Sequence, residues 1–246
     1  HNIMGYRNEI DRLVSIYEST SRLEDYMAAN EACEKAIEIG SYTNEDLLSY
    51  AYLQDIHSGY YVKKAIKLYN NVIERCKDKR DDTYYKAHGQ LIALLSKINR
   101  SHESIDRYKK MVKEEPDNYQ AYRLLCKAYC QANQYDDAWL AIEAAMKLEP
   151  DNAILLSETG YVCKALGRYD EAIDFFDKAF AKDSNNASAL YGKACLYMDA
   201  GRNEEALKAW KDVVSWLEEH GYSEGTAWPK AEIKRLEKLI AQNKKH

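Results

Sequence analysis

The sequence of 246 residues predicts an all-α protein, a stack of short helical hairpins, on three observations. Turn and strand formers are scarce: Gly (10), Pro (3), seven Val and five Thr are too few for a large sheet protein, which needs turn signals at spacings of about ten residues. Apolar residues, 46% of the chain, are enough for a sizeable core and recur at helical spacing. A 34-residue period then runs through much of the chain: Glu-Pro-Asp-Asn occurs at 115–118 and again at 149–152.

Taken in order, two looser units come first. Residues 10–43 carry Leu13, Ile16, Ala29, Cys33 and Ala36; residues 46–79 carry Tyr52, Ala65, Tyr69 and Val72. Arg80 to Tyr84 is an insertion, where a change in superhelix pitch is expected. Four regular units follow without a gap, at 85–118, 119–152, 153–186 and 187–220. Their markers are Tyr108, Ile142, Phe176 and Trp210, then Ala138, Ala172 and Ala206, then Asn99, Asn133, Gly167 and Gly201. In 153–186, Leu155, Leu156 and Val162 mark a first helix, and Gly167 supplies a left-handed C-cap. Asp170 then places charge at the start of a second helix, whose buried stripe is Ala172, Ile173, Phe176 and Ala179. Small residues at 160 and 172 let the two helices approach closely. One hairpin cannot cover its own apolar face, so neighbours must stack. After a loop at Gly221 to Thr226, Trp228-Pro229 opens a last helix with Pro in its first turn and a stripe of Ile233, Leu236, Leu239 and Ile240. It is expected to meet Trp210, Val214 or Leu217 as an end cap for the stack.

These units resemble the tetratricopeptide repeat family. Unit 119–152 offers Tyr122, Leu125, Cys126, Tyr129, Ala138, Ile142, Ala145 and Pro150 at the family's packing positions. Unit 187–220 offers Leu190, Ala194, Tyr197, Ala206 and Trp210. The resemblance is close over 85–220 and weaker over 10–79. It implies a right-handed superhelical solenoid of about six helix-turn-helix repeats over residues 1–220, with 221–246 forming a loop and a capping helix. It also implies a non-catalytic scaffold that binds a peptide or protein segment in a concave groove lined by the first helix of each unit.

Mapping the family's groove positions onto this chain gives Tyr50, Gln54, Lys86, Arg123, Lys127, Tyr161, Lys164 and Tyr191 as ligand residues. The charged members of positions 2, 5, 9 and 12 in the four regular units are all basic, with Glu158 as a neighbour of opposite sign, so an acidic partner is expected. Five-residue clamps of the kind that grip chaperone tails are not matched: a register starting at 119 gives Arg123 and Lys127, but then Glu158, Ser188 and Gly192.

Other function classes lack their residues. No Gly-rich phosphate loop or nucleophile motif occurs, so no catalytic residue and no cofactor are expected. Cys126 and Cys130 are one helical turn apart, but no third or fourth ligand joins them, and they read as packing residues rather than a metal site. His88 and His102 stand outside any HExxH motif. The chain is net acidic (35 Lys+Arg against 40 Asp+Glu) and has no long basic stripe, which argues against nucleic acid as a partner. The longest apolar run is five residues, which argues against a membrane span. Six cysteines without a CxxC pair, and no signal-like start, lead to the expectation of a cytoplasmic protein, a monomer or weak homo-oligomer. The competing reading is structural: a self-association module, or the repeat part of a longer multidomain chain.

Overall fold

The computed structural model describes residues 3–57 and 61–245, with side chains from Arg7 onward. Among the described residues there are thirteen α-helices and no strand. They are α1 (Ile3–Thr20), α2 (Leu23–Glu38), α3 (Asn44–Ile56), α4 (Val62–Cys76), α5 (Asp82–Lys97), α6 (Ser101–Glu114) and α7 (Tyr119–Gln131). The series continues with α8 (Tyr135–Leu148), α9 (Ala153–Ala165), α10 (Tyr169–Lys182), α11 (Ser188–Asp199), α12 (Asn203–Glu219) and α13 (Ala227–Asn243). The chain divides at Ser104 into two compact units.

In the first unit the core is made by small residues on α2 (Ala29, Cys33 and Ala36) against Ile10, Val14 and Tyr17 of α1 and Leu53 of α3. Leu13 and Ile16, two of the expected markers, are only partly buried; Val14 and Tyr17 take the core positions. A capping box starts α3. The Thr43 hydroxyl accepts from the Asp46 N–H at 3.1 Å, and the Asp46 carboxylate accepts from the Thr43 N–H at 2.8 Å. That carboxylate is buried and is also met by Arg7 at 3.1 Å. On α4, Ala65, Tyr69 and Val72 are fully buried, and the Tyr69 hydroxyl donates to Asp55 at 2.8 Å.

The second unit is built on a recurring pair of turns. Within hairpins, Asn133, Gly167 and Gly201 have φ of 59°, 76° and 70°, the left-handed conformation that ends a helix. Each is followed by one N–H that reaches back over the turn: Gln134 to Tyr129 O at 2.9 Å, Arg168 to Cys163 O at 2.9 Å and Arg202 to Tyr197 O at 2.9 Å. Between hairpins, the Asn of Pro-Asp-Asn caps the next helix. Asn118 accepts from the Gln120 N–H at 3.1 Å, and Asn152 from those of Ile154 and Leu155 at 3.0 and 3.1 Å. The Glu-Pro-Asp-Asn motif is thus both a stop and a start signal.

Packing between hairpins centres on Phe176, which is 1% exposed. A Cβ added at Gly160 would lie 2.7 Å from its ring, and one added at Gly192, in the next hairpin, 2.6 Å. The ring therefore occupies space that any other residue at 160 or 192 would claim. At the far end Trp210, Val213 and Leu217 of α12 receive Leu236 of α13, which is 1% exposed. The residue that packs there is Val213; Val214, named from the sequence, is only partly buried.

Candidate functional site

The first helices of three hairpins in the second unit, α7, α9 and α11, are joined by side-chain bonds into one face. From α7, the Arg123 guanidinium donates through Nε to both Glu158 carboxylate oxygens at 2.8 Å, and its Nη2 lies 2.6 Å from Oε1. From α9, Lys164 meets Asp199 of α11 at 3.1 Å, and the Tyr161 hydroxyl donates to the Ser188 carbonyl at 3.0 Å. Arg123 is partly desolvated, which opposes its charge, but the hydrogen bond and charge of Glu158 hold its pKa above the ordinary value.

Lys127 stands apart. It is exposed, and among the described residues no carboxylate lies within ion-pair distance of its ammonium. Desolvation lowers its pKa, with the Arg123 charge adding to the effect and Glu158 opposing it. On α9 the same face presents apolar surface: Ile154 is 47% exposed and Tyr161 39%. Tyr191 is half-buried, its ring edge-on to Trp210 with centroids 5.8 Å apart.

In the first unit only Lys86 of the expected ligand residues is exposed. Tyr50 and Gln54 are corrected: both belong to the core. Gln54, 1% exposed, accepts from the Tyr26 hydroxyl and donates to Asn30, each at 2.9 Å. The Tyr50 hydroxyl donates to Glu34 at 2.9 Å, beneath the Lys64 ammonium. The reason is the surroundings of α3, which packs against α1, α2, α4 and α5 and has no open face at those positions.

Glu158 is visible in the sequence as a neighbour of opposite sign, but its pairing with Arg123 was not foreseen, and Asp199 was missed. A signal for them exists: Arg123 and Glu158, and Lys164 and Asp199, are opposite charges separated by one repeat plus one residue. Cys126 and Cys130 are free thiols whose side chains interact. That interaction, then burial, raises the Cys126 pKa, while Cys130 is lowered by it. His88 is buried edge-on to Tyr84, and His102 is exposed.

Stacked antiparallel helical hairpins with left-handed caps at a 34-residue interval define a helical-repeat protein that presents side chains from one helix of each hairpin. Tetratricopeptide repeat models match residues 125–187 and 165–217, and this part of the chain consists of tetratricopeptide repeats. The chain is 28% identical over 101 residues to Tetratricopeptide repeat protein 8 of Caenorhabditis elegans, a match covering 41% of this chain and 20% of that one. It is 23% identical over 144 residues to Anaphase-promoting complex subunit 3 of Schizosaccharomyces pombe, covering 58% and 21%. These matches thus span about a fifth of the length of either relative. The fold is similar to that of a thermophilic tetratricopeptide repeat protein from Thermus thermophilus, with a TM-score of 0.55, 18% identity and coverage of 77% of this chain and 100% of that one. Proteins of this family generally mediate protein–protein interactions as non-catalytic scaffolds. Among the described residues no helix is long and apolar enough to cross a membrane.

Proposed function

We propose that the α7–α9–α11 face binds a segment of a partner protein, with an acidic residue of that segment at Lys127 and apolar residues against Ile154, Tyr161 and Tyr191. The observation that carries this reading is the unpaired Lys127 ammonium on a face that also exposes Ile154 and Tyr161 and whose other cations are already paired. With no resident carboxylate, Lys127 is the position on this face where an incoming carboxylate forms a new ion pair. The acidic preference therefore rests on one residue of the second unit rather than on a continuous basic strip, because Arg123 and Lys164 are balanced by Glu158 and Asp199. A reducing compartment such as the cytoplasm suits free thiols of this kind, with Cys33, Cys76 and Cys163 serving as buried packing groups.

Selection of a displayed random-peptide library against the protein tests the reading. Enriched peptides should carry Asp or Glu next to an apolar residue, and Lys127→Glu should weaken them about fivefold, the scale of a partly exposed ion pair. Enriched peptides without an acid, held equally by the Lys127→Glu protein, would overturn it.

A further inference from the structure

The opposite side of α11 carries a cleft that this face does not use. At about 100° per residue, Lys193 lies roughly 200° around the helix from Tyr191. There a cleft of about 340 Å³ opens between α10 and α12. Phe180 and Leu190 give it apolar walls, and Trp216 gives it an aromatic one. The indole is fixed: its Nε1–H donates to the Ser184 carbonyl at 2.8 Å, and its ring lies parallel to those of His220 and Tyr222, with centroids 3.9 and 6.0 Å away.

Charge in the cleft is unbalanced. Lys193 donates to Asp177 at 2.7 Å; burial works against its charge, but that bond, with Asp212 nearby, keeps its pKa above the ordinary value. One ammonium is thus matched by one carboxylate. Asp212 and Glu219 also line the cleft, are exposed, and have no bonded cation among the described residues. Nor is this a general property of the stack. One repeat earlier the residues corresponding to Asp212, Trp216 and Glu219 are Lys178, Lys182 and Asn185, and Thr159 corresponds to Lys193.

We propose that this cleft binds an arginine side chain of a partner protein. The two unmatched carboxylates call for a cation. A planar guanidinium can bond a carboxylate in fork geometry while lying along the aromatic wall of the cleft; a lysine ammonium can do only part of this. The apolar walls take the aliphatic stem. The volume, near the lower end for ligand pockets, suits one side chain rather than a larger molecule. This site is independent of the α7–α9–α11 face.

The test is an NMR titration of the full chain with three blocked tripeptides, acetyl-Gly-Xaa-Gly-amide, where Xaa is arginine, lysine or citrulline. The Trp216 indole signal is assigned by its loss in Trp216→Phe. The arginine peptide should shift that signal and bind about tenfold more tightly than its uncharged citrulline counterpart. The double variant D212K/E219N, which installs the residues found one repeat earlier at two exposed sites, should lose this binding while melting like the wild type; D212N/E219Q should weaken it without reversing charge. Lys127→Glu should leave it unchanged. Absence of any shift, equal binding of the citrulline peptide, or undiminished binding by both double variants would overturn the proposal.

Discussion

Replacing Gly160 by Ala sets two opposed effects against each other. In the interior of α9, Ala favours the helix over Gly by about 1 kcal/mol. Its Cβ, however, would fall 2.7 Å from Cε1 and 2.9 Å from Cδ1 of Phe176, where carbon atoms prefer about 3.5–4.0 Å. The ring has little room to yield, because Gly192 meets the same part of it, where a Cβ would be 2.6 Å from Cζ and 2.7 Å from Cε1. Overpacking of a filled core costs about 1–3 kcal/mol, so the net effect should be a loss of up to about 2 kcal/mol. For a chain of this size that lowers Tm by as much as roughly 8 °C. The decisive assay is a double-mutant cycle by urea and thermal unfolding, with Gly160→Ala, Phe176→Leu and the pair. Leu removes the ring edge, so in that background Gly160→Ala should stabilise by about 1 kcal/mol, reversing its sign. If Gly160→Ala stabilises the wild type as much as the Phe176→Leu protein, the close approach of ring and helix is not what requires glycine.

Deleting residues 227–246 removes Leu236 and uncovers Trp210 and Leu217, each worth about 1.5–3 kcal/mol when buried, so a lower Tm and aggregation on heating are expected. An unchanged melt and a soluble product would deny α13 a capping role. In the first unit, burial lowers the His57 pKa, and its Nδ1 lies 2.7 Å from the Tyr17 hydroxyl. The unfolded chain therefore takes up the proton first as pH falls: stability should be full above the ordinary histidine value of about 6.5 and decline as pH drops through it toward the lower folded value. His57→Gln should flatten that decline in urea midpoints measured on either side of this value, and identical pH slopes would refute the assignment.

The turns were the most legible part of the fold. Asn99, Asn133, Gly167 and Gly201 stand out in the sequence because few residue types tolerate positive φ, and all four adopt it. The packing position at 160 was legible for a similar reason: only a missing Cβ admits the Phe176 ring. Groove residues were less so. A position rule gives the direction of a side chain on a helix but not what surrounds that helix, and on α3 four neighbouring helices turn Tyr50 and Gln54 into core. Charge was misjudged for a related reason. Arg123 looks like a free cation when its own helix is read alone, because Glu158 belongs to the next hairpin.

Those cross-repeat pairs bear on selectivity. A segment that brings a carboxylate to Arg123 or Lys164 must first dislodge a carboxylate the protein already holds there. Exchanging one resident anion for an incoming one leaves the number of ion pairs unchanged, so at these two positions added salt bears equally on both sides of the exchange. What decides the outcome is fit: Glu158 engages the guanidinium through both oxygens, and a monodentate competitor loses to it. Acidic character alone therefore earns a sequence no place at Arg123. The resident glutamate acts as a built-in competitor, setting a threshold that screens out the many acidic segments whose geometry is wrong.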